Sequence, residues 1–245
     1  MALYRDEGVV VRTMRLGEAD RIVTLVTPEH GKVRAVAKGV RRTKSRIGAR
    51  LEPLGHVTVL AWRGRELDVV TQVEALDSFR SVRDDLERLG QALTMLEVAD
   101  QVAVERHPMP TVFALLVGAL RALEATGSPG VLGAFCWKLL VAEGVGPVVD
   151  RCARCGDDVA LVAFDAGEGG FLCRSCRRGQ AVSPAAVELV RQVLDGGLAG
   201  VLAEPRSGAG DEMEHLAIGA VERHLDRRLR TARHAGDLAA PAREP

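Results

Sequence analysis

The stretch DRIVTLVTPEHGKVRAVAK, residues 20–38, decides how the first third of the chain folds. DRIVTLVT and KVRAVAK are rich in β-branched residues, and PEHG between them is a turn. Pro28 fixes one φ angle and Gly31 suits a left-handed position, so the pair of segments reads as a β-hairpin. Along the second segment Val33, Ala35 and Ala37 fall on one face, while Lys32, Arg34 and Lys38 fall on the other. One face is built for a core and the other carries charge.

Working outward, GVVVRTM (8–14) precedes the hairpin as a strand, and HVTVLAW (56–62) with ELDVVTQVEA (66–75) flanks RGR as a second hairpin. In the last of these, Leu67, Val69, Thr71, Val73 and Ala75 alternate against Asp68, Val70, Gln72 and Glu74, a period of two that Val70 breaks. Five short strands in under eighty residues predict a small closed or nearly closed barrel.

Beyond Phe79 the period lengthens. Leu86, Leu89, Leu93 and Leu96 recur at helical spacing through to Ala103, and the pattern stops at HPMP. Val112 to Leu123 and Leu132 to Leu140 make two further helices. SPAAVELVRQVL opens with Ser183 as a cap and Pro184 at the first helical position. A final helix runs from Met213 to Leu225. The fold class is α+β and multidomain: a β domain over 1–79, a helical domain over 80–245, and an insertion at about 147–182.

The insertion holds two CxxC knuckles, Cys152/Cys155 and Cys173/Cys176, joined by ALVAFDAGEGGFL, which reads as a short hairpin. Four thiolates in two tight turns complete the tetrahedral shell that zinc prefers in structural sites, so one structural Zn2+ is expected. Such a shell leaves no position for water or substrate, which argues against a catalytic metal. Cys136, beside Phe135 and Leu139 on an apolar helix face, reads as core.

Hydrophobic residues make up 47% and charged residues 27% of the 245, the balance of a globular protein. No signal-like segment opens the chain and no apolar run reaches bilayer length, so a cytoplasmic location without membrane contact is expected. There is no phosphate loop, dinucleotide fingerprint, nucleophile elbow or HExxH, and the six histidines are scattered. Glu18 and Asp20 suit turn hydrogen bonds better than acid–base work. An enzyme is not expected.

The formal net charge is zero, yet residues 1–80 hold fifteen Lys/Arg against ten Asp/Glu. The charged face of Lys32, Arg34 and Lys38 runs directly into Arg41, Arg42, Lys44 and Arg46. Charge aligned on a strand and continued into its loop reads as a polyanion contact. Aromatics are only 3%. Phosphate contacts should therefore dominate over base stacking, giving salt-sensitive binding indifferent to sequence.

EADRIVTLVTPEHGKVRAVAKGVRR, together with the order barrel, helices, four-cysteine ribbon and helices, resembles the RecO family of bacterial recombination mediators. The resemblance covers nearly the whole chain. It implies that the barrel is an OB-fold binding single- and double-stranded DNA, through the cations between Lys32 and Arg46. It also implies annealing of complementary strands, loading of RecA together with RecR, a cytoplasmic and nucleoid-associated location, and docking of the C-terminal tail of single-strand binding protein (SSB) on the helical domain. Arg121, Lys138, Arg191 and Arg223 are cations beside apolar helix faces that suit such a tail, and Arg121 is the first choice. The alternative is a zinc-ribbon binder acting in transcription or translation.

Overall fold

The computed structural model describes residues 2–41, 45 and 47–232. Arg42, Lys44 and Arg46, three of the cations singled out above, lie outside the described residues. The chain forms two compact units, one ending at Glu124 and the other beginning at Ala125. The unit that contains the barrel is thus larger than residues 1–79.

Five strands, β1 (Leu3–Leu16), β2 (Asp20–Thr27), β3 (Gly31–Ala37), β4 (His56–Trp62) and β5 (Asp68–Asp77), close into a barrel in the order β1-β2-β3-β5-β4. Its interior is filled by alternate residues: Val23 and Leu25 from β2, Val33, Ala35 and Ala37 from β3, Val57 and Val59 from β4. Leu51, fully buried, comes from a short 3-10 turn, Gly48–Leu51. Gly31 is left-handed as expected (φ +61°), and a Cβ there would also meet the carbonyls of His107 and Val104.

The alternation in β5 departs from expectation. Of the predicted inward set only Val73 is buried, and Val70 packs on the core instead. Leu60 pairs with Gln72 while Ala61 pairs with Val70, so Thr71 is an extra residue that reverses the phase of the strand.

Three helices follow: α1 (Arg80–Arg83), α2 (Leu86–Val102) and α3 (Pro110–Thr126). The Asp85 carboxylate caps α2 by accepting from the Arg88 N–H at 3.0 Å. The stripe is buried only in its C-terminal half. Leu86 and Leu93 are exposed, whereas Leu96, Ala99 and Ala103 are buried together with Ala92, Met95, Val98 and Val102. That half of the helix lies against β1, where Arg12 approaches Asp100, so position along the helix decides which part of the stripe is covered. The chain after α2 then runs beside β3, where the Lys32 N–H donates to the Val104 carbonyl at 2.9 Å.

His56 joins the barrel to these helices. Fully buried, its ring lies near Phe79 and Phe113 at centroid distances of 6.4 and 6.0 Å. Nε2 is 2.6 Å from Glu7 and Nδ1 is 3.0 Å from Asp77, whose carboxylate also accepts from Arg121 at 3.0 Å.

The second unit holds α4 (Val131–Ala142), a three-stranded ribbon of β6 (Leu161–Asp165), β7 (Gly170–Cys173) and β8 (Gln180–Ala181), then α5 (Pro184–Leu194), α6 (Leu198–Ala203) and α7 (Gly208–His224). Ser183 caps α5 as expected, accepting from the Ala186 N–H at 3.2 Å. Every residue of α4 from Val131 to Trp137 is buried, because the helix lies against both α5 and α7. The ribbon docks through aromatic contacts: Trp137 meets Phe164 edge-on at 5.6 Å, and Phe164 meets Phe171 at 5.0 Å. Among the described residues no helix is long and apolar enough to cross a membrane.

The His56 hydrogen bond, then Arg121, holds the Asp77 carboxyl below the usual carboxylate range. A depressed folded pKa contributes stability that is complete above the unfolded value of about 3.9 and is lost as pH falls through the folded value. Urea titrations between pH 6 and 2 should show a steeper acid loss for the wild type than for Asp77→Asn. Identical pH profiles would remove this pair from the acid response.

Candidate metal centre and nucleic-acid interface

Each knuckle is a tight turn. In the first, the Gly156 N–H donates to the Cys152 carbonyl at 2.9 Å and Gly156 takes a left-handed φ of +78°. In the second, the Cys176 N–H donates to the Cys173 carbonyl at 3.2 Å. The β6–β7 hairpin brings the two turns together. All four sulfurs lie within 4.8 Å of one another, and Cys155 Sγ is 3.8 Å from Cys173 Sγ. Four sulfurs bound at about 2.3 Å in a tetrahedron are separated by about 3.8 Å, so the donor set fits a thiophilic divalent metal. Backbone N–H groups, chiefly those of Cys155 and Cys173, pull the Cys152 thiol down to about 6 and favour the thiolate a metal needs. Cys136 is remote from this chemistry: fully buried, its thiol is pushed up by desolvation.

The expected cations on β3 and in the turn after it stand in four different situations. Lys32 is mostly covered, and its Nζ lies 3.4 Å from Asp100 on α2, which Arg12 also approaches at 3.4 Å. Arg34 is half exposed and 4.0 Å from Glu105. Lys38 is exposed, with no carboxylate partner among the described residues. Arg41 is exposed and donates to the carbonyls of Gly17 and Glu18 at 3.1 and 2.8 Å, bridging to the β1–β2 turn, with no carboxylate partner among the described residues.

Sequence reasoning missed that Asp100 and Glu105 face the first two of these cations. The carboxylates arrive from a helix and a connection some seventy residues away, and no local pattern marks them. It also missed Arg12, brought into line with Arg34 because both flank Thr24 in register.

The second unit has a cavity of about 140 Å³ lined by Trp137, Leu140, Pro147, Phe164 and Ala220, with exposed Arg223 and His224 at its edge. Trp137 is fully buried and its Nε1–H has no hydrogen-bond partner among the described residues. Of the four cations suited to an acidic tail, Arg223 reaches this cavity. Arg191 donates to the Val149 carbonyl at 3.1 Å, and Arg121 belongs to the Asp77 ion pair.

Metal analysis of the protein purified without added metal should find about one equivalent per chain. Replacing Cys152 and Cys155 together by Ala should remove it. Because protons compete for the thiolates, the metal should be released on acidification before the barrel unfolds. A metal-free preparation with an intact ribbon would show the knuckles to be plain turns.

Two family comparisons bear on this geometry. Residues 1–79 match the family described as Recombination protein O N terminal, and residues 83–233 match Recombination protein O C terminal. Together they cover the barrel, the helices and the four-cysteine ribbon. The chain belongs to the recombination protein O family, the DNA-binding mediators of recombinational repair.

Proposed function

We propose that the chain binds single- and double-stranded DNA through the barrel, anneals complementary strands, and with RecR helps load RecA on DNA coated by SSB. The observation that carries this reading is the exposed charge of Lys38 and Arg41, without a carboxylate partner among the described residues, just beyond the end of the β3 face in a chain of this family. Arg42, Lys44 and Arg46 follow directly in sequence and extend the same charge. Contacts of this kind hold phosphates and leave base edges free to pair, which is what annealing requires.

Residues 1–79 take the DNA role and 80–245 the partner role, with the ribbon at about 147–182 stapled by one structural Zn2+. Zinc is favoured because four thiolates give it a closed tetrahedral shell. The SSB tail is assigned to the Trp137 cavity. An apolar terminal side chain fits among Leu140, Pro147 and Ala220, and Arg223 supplies the charge-assisted hydrogen bond for a carboxylate.

Annealing of SSB-coated complementary strands tests the reading as a whole. Its parts separate by mutation. Replacing Lys38 and Arg41 by Ala should flatten the log–log salt dependence on single strands by about 1.4, at roughly 0.7 per phosphate contact. Lys32→Ala should leave that slope nearly unchanged and instead cost about 1–3 kcal/mol of stability, since it strips a partner from buried Asp100. An unaltered slope in the double variant would reduce the run to a solvated surface.

For the second unit, Arg223→Ala should weaken a fluorescent SSB-tail peptide about tenfold or more, by loss of a charged hydrogen bond. Arg121→Ala should not. The reverse ranking would move the tail to another site.

A further inference from the structure

The register of the closed barrel aligns residues that are far apart in sequence. Met14 pairs with Ile22, Ile22 with Val36, Val36 with Val69, Val69 with Trp62, and Trp62 with Leu3. These six positions form one continuous row around the outside of the barrel. None of them is buried: Met14 is 51% exposed, Leu3 46% and Trp62 40%. A barrel that needed only solvation would carry polar side chains there, as the outer face of an antiparallel sheet normally does.

Cations flank the row on β1, at β3 and in the β4–β5 loop. Arg34 on β3 and Lys38 just beyond it lie two positions either side of Val36, and exposed Arg5, 3.4 Å from Glu74, lies two positions from Leu3 on β1. Arg63 and Arg65 follow Trp62 in the β4–β5 loop, exposed and without a carboxylate partner among the described residues; Glu66 is the one acidic side chain of that loop. The loop is held in shape. The Gly64 N–H donates to Asp68 at 2.9 Å, its carbonyl accepts from Arg106 at 3.2 Å, and the Arg63 N–H donates to the Ala2 carbonyl at 2.8 Å. A small cleft of mixed charge, lined by Lys32, Arg34 and Arg63 and by Glu66, Asp68 and Glu105, joins the β3 cations to this loop.

We propose that the apolar row is the path of an unpaired DNA strand, with Trp62 as its stacking platform at the end remote from the β1–β2 turn. Apolar ridge and flanking guanidinium groups match the two chemistries of a single strand, whose bases present flat apolar faces and whose backbone presents phosphates. A duplex offers only the second, because its bases are already stacked. The proposal rests on the DNA-binding reading above and adds a strand preference to it. The cation run taken alone predicts no such preference.

Trp62 makes the test direct, because the protein has two tryptophans and Trp137 is fully buried. Full-length protein is titrated with oligo(dT) and with a duplex of equal length at fixed salt, following tryptophan emission and its quenching by iodide. Oligo(dT) should quench Trp62 and shield it from iodide, and the duplex should do neither. Trp62→Ala should weaken oligo(dT) binding about tenfold or more with the salt slope unchanged, and Trp62→Phe should restore most of the loss. Retained Trp137 emission reports that the variants are folded.

Salt-dependent binding of both DNAs with no quenching and no effect of Trp62→Ala overturns the platform and leaves the DNA reading standing. No binding of either DNA overturns both. Self-association of the free protein that Trp62→Ala abolishes would assign the row to a second copy of the chain, and also overturns the proposal.

Discussion

Only two register pairs join β3 to β5, Ala35 with Asp68 and Val36 with Val69, yet this short parallel seam closes the barrel. Parallel pairing is weaker per residue than antiparallel pairing, and so brief a ladder needs reinforcement. Asp68 supplies it. Buried to 5% exposure, its carboxylate accepts from the Tyr4 hydroxyl at 2.5 Å, the Gly64 N–H at 2.9 Å and Arg106 at 3.4 Å. One side chain thereby ties β1, the β4–β5 loop and the connection after α2 to the seam. The Tyr4 hydroxyl, desolvated and bonded to a carboxylate, is pushed well above its ordinary pKa and stays a donor. Without closure the apolar row would break between Val36 and Val69, and the β3 cations would lose their continuity with Arg63.

Local chemistry made much of this legible. Pro28 and Gly31 marked the first hairpin, Ser183 and Pro184 the start of α5, and the two CxxC spacings the cluster of four sulfurs. In each case the signal and the structure it directs lie within a few residues. Illegible features were those set by contact between distant segments. The bulge at Thr71 arises from pairing with β4, so the alternation of β5 read in isolation assigned Val69 and Ala75 to the wrong face. In α2 the stripe held at Leu96 and Ala99 but failed at Leu86 and Leu93, because only the C-terminal half of the helix is covered by the barrel. Asp68 was read as outward, and only the three donors converging on it explain its burial.

The basic face shows why counting cations overstates a polyanion site. Lys32 and Arg12 share Asp100, and Arg34 approaches Glu105, so these three serve partly as ties between β-strands and the segment that follows them. Lys38 and Arg41 lie beyond the far end of β3, and no carboxylate among the described residues pairs with them.

The four sulfurs of the knuckles are not equivalent towards solvent. Cys152 and Cys173 are buried, Cys176 is half-buried and Cys155 is exposed. A chelator or oxidant would reach a metal held by these sulfurs from the Cys155 side. Cys152 and Cys173, under the ribbon and joined by the Cys173 N–H to Cys152 Sγ contact at 3.4 Å, would keep their hold longest. Full release would then require the ribbon to open from α4, so the edge of Trp137 against Phe164 would bear on the lifetime of a bound ion as well as on its affinity.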